Sequence, residues 1–138
     1  REYPLLLIDG VTSIEKNKTC HAYKNLTYNE WFFPVHFFNN PIMPGTLQIE
    51  AFTQAVALPL LIAEDNNAFQ EIPILLSGVD KVRFYKTVLP GDKFEINVDI
   101  DKIFNGIAFA TAVGTVNNEI VSECKITYKL MEKENGRR

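Results

Sequence analysis

Hydrophobic and polar residues alternate through most of the C-terminal half of the chain. From Lys93 to Ile100 every second residue is apolar, which is typical of a strand with one buried face. Two more stretches of this kind, residues 106–116 and 119–131, flank Asn117-Asn118. Asparagine tolerates the positive φ angles of a tight hairpin turn, so the pattern predicts three consecutive antiparallel strands.

The first half of the chain contributes two further strands and one long helix. Strands are predicted over residues 19–26 and over residues 74–85, the latter interrupted near Ser77-Gly78. The helix is predicted from Thr46 to about Ala63, and it is apolar nearly all round, which indicates a buried helix. Pro59 lacks a backbone N–H and should kink this helix or end its first part. A buried helix with long antiparallel strands predicts an α+β domain whose sheet wraps around the helix.

Composition limits the classes of function that the chain can serve. Its 138 residues, 46% of them hydrophobic, predict one domain over residues 1–138 with a substantial core. A net charge of −3 argues against binding to nucleic acids or anionic membranes, and no apolar run has transmembrane length. Cys20 and Cys124 have no metal-ligand spacing, so they are predicted to be small core residues in a reducing, cytoplasmic protein.

A histidine, a Pro-Gly turn and a glutamate lie within one short stretch. His36 stands in an aromatic segment and is a candidate base, although a packed, hydrogen-bonded histidine is the alternative. Thr46 is the predicted N-cap, so the amide of Gly45 would lie at the positive end of the helix. That amide could stabilise a developing oxyanion, or this could be a plain helix start.

Glu50 follows in the second helical turn, among apolar neighbours. Burial there would raise the pKa of the carboxyl and favour the protonated acid, unless the side chain reaches water at the helix edge. Gln54 lies one turn further on the same face and could hydrogen-bond to Glu50. A base, an oxyanion-binding amide and an acid are the parts needed for proton transfer next to a carbonyl.

These residues resemble the 3-hydroxyacyl-[acyl carrier protein] dehydratase family of the hotdog fold. The family carries a segment like GHFPGxPxMPGxLxxEAxxQ, and residues 35–54 read VHFFNNPIMPGTLQIEAFTQ. Residues 3–9, 24–30, 78–84 and 88–92 look like further signatures of the family, so the similarity covers nearly the whole chain. The resemblance implies a long antiparallel sheet around a central helix, paired into a homodimer and in some members a trimer of dimers.

The resemblance also implies roles for individual residues. His36 would remove the α-proton of a 3-hydroxyacyl thioester, Glu50 of the partner protomer would protonate the departing hydroxyl, and the Gly45 amide would polarise the carbonyl. No metal or other cofactor is implied. The acyl chain would contact Phe37, Phe38, Ile42, Met43 and Gln54, and an acidic acyl carrier protein would dock on Lys81, Arg83 and Lys86.

The chain departs from the family segment around the histidine and in the helix. Val35, Phe38 and Asn39 replace Gly, Pro and Gly, and Pro59 is unusual in the central helix. Asn39 can adopt the positive φ that glycine supplies, whereas Val35 adds bulk beside the base. Two alternatives therefore stay open: a hotdog thioesterase, and a divergent, weakly active subunit that binds acyl chains or pairs with an active partner.

Overall fold

Six antiparallel strands form one sheet in the computed structural model, in the order β1-β2-β4-β5-β6-β3. The structure describes residues 6–35, 41–65 and 68–131. Its elements are β1 (Gly10–Glu15), β2 (Thr19–Asn25), α1 (Phe32–Val35), α2 (Gly45–Leu61), β3 (Ile74–Phe84), β4 (Lys93–Phe104), β5 (Ile107–Val116) and β6 (Glu119–Leu130).

The core lies between α2 and the inner face of the sheet. The alternating residues Phe94, Ile96 and Val98 of β4 are buried there, and the Phe94 ring lies 5.8 Å from the Phe52 ring of α2. Helix α2 contacts β1, β2, β4, β5 and β6. The α+β architecture of a sheet wrapped around one buried helix, as the hotdog resemblance implies, is confirmed.

The predicted turns and breaks in the sheet are confirmed as well. Asn117 and Asn118 have φ angles of 52° and 66°, which suit a two-residue hairpin between β5 and β6. The register of β3 against β6 shifts between Leu76 and Gly78, at the interruption that the sequence predicted. The five predicted strands all form, with ends that differ by one or two residues except at β4, which runs on to Phe104.

Helix α2 begins differently from the prediction. Its N-cap is Pro44, which makes no side-chain hydrogen bond, so the predicted capping role of Thr46 is wrong. Proline fits this position because it has no N–H and its extended backbone (φ −60°, ψ 141°) precedes the first helical residue. The helix therefore starts at Gly45, whose own amide belongs to the first turn.

Residues of the β1–β2 turn cap the C-terminal end of α2. Pro59 is buried in the last helical turn, and the helix continues past it to Leu61. The Pro59 carbonyl accepts the Asn17 N–H at 2.9 Å, and the Leu60 carbonyl accepts the Lys16 ammonium at 3.0 Å. These partners satisfy carbonyls that a helix end leaves without intrahelical donors.

Two elements were not predicted, namely β1 and the short helix α1. Residues 10–15 lack a clear alternation, because β1 is an edge strand that bulges between Val11 and Ser13. Helix α1 is described over four residues, Phe32–Val35. Val35 therefore has a helical backbone, which does not need the positive φ that glycine would allow.

Cys20 and Cys124 are unpaired and buried on the inner face of the sheet, as predicted for small core residues. Among the described residues, no helix is both long enough and apolar enough to cross a bilayer. Within residues 6–35, 41–65 and 68–131, no three His, Cys, Asp or Glu side chains gather as a metal site requires.

Candidate active site

A cavity of about 810 Å³ opens along one side of α2. Its walls come from the N-terminal segment (residues 6–9), the start of β1, α2, Phe69, the start of β3 and Tyr128 of β6. Most of the lining is apolar and includes Leu6, Ile8, Ala57, Leu58, Ile74 and Leu76. Glu50, Thr53 and Gln54 bring polar groups from α2 into this wall. The cavity therefore combines a long apolar surface with one carboxyl group.

Glu50 is half-buried and is oriented by a short chain of hydrogen bonds. Gln54 Nε2 donates to Glu50 Oε2 at 2.9 Å, so the predicted bond between these residues is confirmed. The Leu7 N–H donates to Gln54 Oε1 at 2.8 Å. Because that oxygen faces Leu7, the amide must turn its NH₂ group toward Glu50. A main-chain group of the N-terminal segment thus fixes which face of Gln54 meets the carboxyl.

The helical turn that carries Glu50 is held from two sides. Thr53 Oγ1 donates to the Glu50 carbonyl at 2.8 Å, and the Tyr128 hydroxyl donates to the Thr53 carbonyl at 2.9 Å. Tyr128 was not predicted to belong to this region. The available signal was its inward position in the alternation of β6, because a buried tyrosine hydroxyl needs a hydrogen-bond partner.

A second cavity of about 410 Å³ lies at the start of α2, beside the end of β3. Gly45 lines it opposite the ring of Phe84, and a Cβ on Gly45 would lie 2.6 Å from Phe84 Cζ. Met43 also lines it, although Met43 is almost fully buried, and its N–H donates to the Val88 carbonyl at 2.8 Å. Because Gly45 has no side chain, the Phe84 ring can lie directly against the start of the helix.

The predicted catalytic residues are only partly within the described structure. His36, Phe37 and Phe38 lie outside the described residues. Glu50 and Gly45 are both described, but they line different cavities of the same protomer. The structure therefore does not bring the carboxyl and the helix-start amide of one chain together in one cavity.

The other predicted contact residues divide between the two cavities and the surface. Gln54 lines the larger cavity, whereas Ile42 and Met43 line the smaller one. Lys81 and Arg83 are exposed on β3, and Lys86 follows that strand. Lys86 pairs with Glu119 at 3.0 Å across an exposed surface.

Sequence comparison connects these features to known enzymes. Residues 1–125 match the model of the FabA-like domain. The chain is 42% identical to the 3-hydroxyacyl-[acyl-carrier-protein] dehydratase FabZ of Bacillus velezensis over 130 residues, which cover 94% of this chain and 90% of that protein. It is 43% identical to the FabZ of Clostridium perfringens over 128 residues, covering 93% and 89%.

Comparison with solved structures supports the same fold. The dehydratase heterocomplex ApeI:P of Xenorhabdus doucetiae superposes with a TM-score of 0.75 at 15% identity, covering 96% of this chain and 88% of that one. The uncharacterized protein PH1136 of Pyrococcus horikoshii superposes with a TM-score of 0.72 at 17% identity, covering 95% and 88%. At these identities the likeness concerns the arrangement of the helix and the sheet.

Proposed function

The chain belongs to the family of FabA-like domains, and from that membership we propose that it dehydrates (3R)-3-hydroxyacyl groups on acyl carrier protein. The products are trans-2-enoyl thioesters and water. Identity of about 40% to FabZ dehydratases along nearly the whole chain carries this proposal. The Glu50–Gln54 pair on the wall of an apolar cavity gives it a chemical basis. The enzyme is a hydro-lyase acting in fatty-acid synthesis.

The reaction moves protons and needs no change in oxidation state of the enzyme. His36 takes the α-proton, and the electrons of that C–H bond pass toward the thioester carbonyl, where the Gly45 amide stabilises the oxygen. The electrons then return to form the double bond as the C3–O bond breaks. Glu50 gives its proton to the departing hydroxyl, which leaves as water, and the proton held by His36 restores the acid.

Each site is shared between two protomers in this proposal. Gly45 and Glu50 of one chain line different cavities, which suits a site built from His36 and Gly45 of one protomer and Glu50 of its partner. The long edge strand β3 supports such pairing, because Leu75, Leu76 and Val79 are exposed along it. We propose a homodimer, and a trimer of dimers is the larger assembly to test for.

The remaining predicted contacts have separate roles. Both ends of the Gln54 amide are hydrogen-bonded within the protein, so we assign it to orienting Glu50. The acyl chain occupies the apolar part of the site, where Phe37, Phe38, Ile42 and Met43 stay proposed contacts. The acidic carrier protein docks on the exposed basic side chains of the β3 region, Lys81, Arg83 and Lys86. A reducing, cytoplasmic setting stays a prediction from the cysteines.

The decisive experiment mixes two inactive variants. His36→Ala and Glu50→Gln should each lower hydration of crotonoyl thioester by about 1000-fold or more, because each removes one proton-transfer group. When the two variants are unfolded together and refolded, half of the dimers are mixed, and each mixed dimer contains one intact site. Activity should therefore return to about a quarter of the wild-type value. Refolded wild type and each variant refolded alone are the controls.

Other outcomes identify the alternatives. No recovery on mixing would reject the shared site, and full activity of His36→Ala would reject the mechanism. Hydrolysis of the thioester without dehydration would favour a hotdog thioesterase. No turnover by the chain alone, together with co-purification of a second hotdog chain, would favour a divergent subunit that needs an active partner.

A further inference from the structure

One lysine of β2 occupies a position that the strand pattern assigns to the core. Cys20, Ala22 and Lys24 all point to the inner face, and all three are at least nine-tenths buried. Lys24 is paired across the sheet with Phe94, which is fully buried. An ammonium group at such a position is destabilising unless opposite charges compensate for its loss of water.

Two carboxylates meet the Lys24 ammonium. Its Nζ lies 3.5 Å from Asp9 Oδ1 and 3.3 Å from Glu30 Oε1. The exposed fractions of the Lys24, Asp9 and Glu30 side chains are 11%, 38% and 17%. Lys18 and Glu15, in contrast, form a pair 3.4 Å apart with exposed fractions of 69% and 59%. The Lys24 ammonium and the Glu30 carboxylate are therefore better shielded from solvent than the Lys18–Glu15 pair, while Asp9 is partly exposed, and electrostatic interactions are stronger where water is excluded.

The two carboxylates belong to segments that lead to different parts of the proposed site. Asp9 lies two residues after Leu7, whose N–H orients Gln54 against Glu50. This segment is tied to β2, since Asp9 Oδ2 accepts the Asn25 N–H at 2.8 Å. Lys24 thus helps to fix the segment that supplies the Leu7 amide.

Glu30 lies on the other side of the ammonium, at the entry to α1. Its carbonyl accepts the Phe33 N–H at 3.2 Å, and the described part of α1 runs to Val35, immediately before His36 in the sequence. Phe32 and Phe33 are buried, so α1 is also held by packing. The Lys24–Glu30 pair therefore ties the start of the segment that carries His36 to β2.

We propose that Lys24 is a positioning residue whose buried charge helps to orient Glu50 of its own protomer and anchors the start of α1. Through Asp9 it holds the Leu7–Gln54–Glu50 hydrogen-bond chain, and through Glu30 it holds the entry to the His36 segment. This role rests on the proposed dehydratase function, because it assigns Lys24 no contact with the substrate. A change at Lys24 should therefore lower kcat and leave KM almost unchanged.

The test compares single substitutions at Lys24, Asp9, Glu30 and Lys18 by kinetics and by amide hydrogen exchange at Leu7. Lys24→Met keeps the length of the side chain and removes its charge, whereas Asp9→Asn and Glu30→Gln each weaken one pair. Lys18→Met is the matched control, because it removes the charge from an exposed pair. Kinetics are measured well below the melting temperature of each variant.

Lys24→Met should lower kcat about tenfold or more with KM within about twofold, and should speed exchange of the Leu7 amide about tenfold. Asp9→Asn should also speed that exchange, whereas Glu30→Gln should lower kcat and leave the exchange unchanged. Lys18→Met should alter neither quantity. Rescue of kcat by Lys24→Arg would support a role for the charge.

The two hypotheses fail in different ways. If the wild-type chain has no dehydratase activity, the proposed function fails, but Leu7 exchange still decides whether Lys24 holds that segment. If Lys24→Met keeps both the wild-type kcat and slow Leu7 exchange, the positioning role is overturned. If Lys24→Met does not fold, Asp9→Asn and Glu30→Gln test the positioning role instead. Wild-type kcat and slow Leu7 exchange in both of these variants would overturn that role.

Discussion

The two edges of the sheet differ in length and in the side chains that they expose. Strand β1 has six residues, bulges between Val11 and Ser13, and exposes mainly polar side chains. Strand β3 has eleven residues and exposes the apolar side chains Leu75, Leu76 and Val79. Among the described residues each of these strands has only one neighbour in the sheet, so no described strand pairs with the outer side of either.

These properties suit β3, but not β1, for pairing with the sheet edge of a second protomer. Short length and polar residues are features by which edge strands resist pairing with another chain. A longer edge that exposes several apolar side chains fits a symmetric interface between identical protomers. The proposed dimer therefore uses β3, and the following predictions test that assignment.

The largest effect is expected from a charge placed on the β3 edge. Val79→Lys should convert the dimer into a monomer and lower dehydratase activity at least about 100-fold, because a lysine there must be desolvated on pairing. Molar mass by light scattering and crotonoyl thioester hydration are the measurements. Val11→Lys on β1 is the matched control for the molar mass alone, because Val11 and Val79 are 40% and 38% exposed but Val11 also lines the larger cavity. It should leave the molar mass unchanged, and a dimeric Val79→Lys would place the interface elsewhere.

The two cysteines each lie one strand in from an edge, and their titration should weaken the fold at high pH. Burial raises the pKa of the Cys20 and Cys124 thiols from 9.0 to about 11, and the Glu123 charge adds to the effect at Cys124. Because the folded-state pKa is raised, this stabilisation is complete below pH 9 and is lost as the pH rises through 11. By pH 11 the titration of each thiol should lower the unfolding free energy by about 2 kcal/mol.

Urea unfolding at pH 8 and at pH 10.5 to 11 measures this loss. The double variant Cys20→Ala with Cys124→Ala is the control, because it should show a smaller decline over the same range. The single variants Cys20→Ala and Cys124→Ala show how much of the decline comes from β2 and how much from β6. An equal decline in the wild type and the double variant would contradict the prediction.

A smaller effect is expected when a methyl group is added in the centre of the sheet. A Cβ on Gly114 would lie 2.5 Å from Phe94 Cε1, and Phe94 is fully buried. Gly114→Ala should therefore lower the unfolding free energy by roughly 1–3 kcal/mol. At the β1 edge, a Cβ on Gly10 would meet the hydroxyl end of Tyr23, which can move aside. Gly10→Ala should lower the unfolding free energy by less than about 1 kcal/mol in the same denaturant measurement. Equal losses for the two variants would contradict the view that side chains at the β1 edge move aside more easily than those in the centre of the sheet.

The smallest effect is expected from the surface charge that follows β3. Lys86→Glu should raise KM for the carrier-linked substrate by about two- to fivefold and leave KM for a small thioester unchanged. Lys18→Glu, beside the β1 edge, is the control and should alter neither value. A change in KM for both substrates would indicate a disturbed cavity rather than lost docking.

The sequence was sufficient for elements that follow from a local pattern. The strands from β2 to β6, the Asn117-Asn118 turn and the buried helix follow from alternation and turn chemistry. The short β1 lacks such a pattern, and the start of α2 was misplaced because Thr46 is a better capping residue than Pro44 by type alone. Glu50 and Gln54 could be paired from helical spacing.

Contacts between distant segments could not be predicted in this way. The bond from the Leu7 amide to Gln54 joins residues 47 positions apart and uses a main-chain group that every residue but proline has. The burial of Lys24 depends on carboxylates from two other segments. Local composition contains no signal for either arrangement, because both arise only when the sheet closes around α2.

The order of the strands also bears on how the protein is made. Strand β3 lies beside β6, which is the last of the described strands along the chain, so β3 has no neighbour in its own sheet until residues 119–130 have been synthesised. A ribosome-bound nascent chain therefore carries an unpaired strand with exposed apolar residues from the synthesis of Phe84 until β6 is made. Rapid synthesis of β6, or binding of a chaperone to β3 until β6 is made, would keep neighbouring nascent chains from pairing through β3.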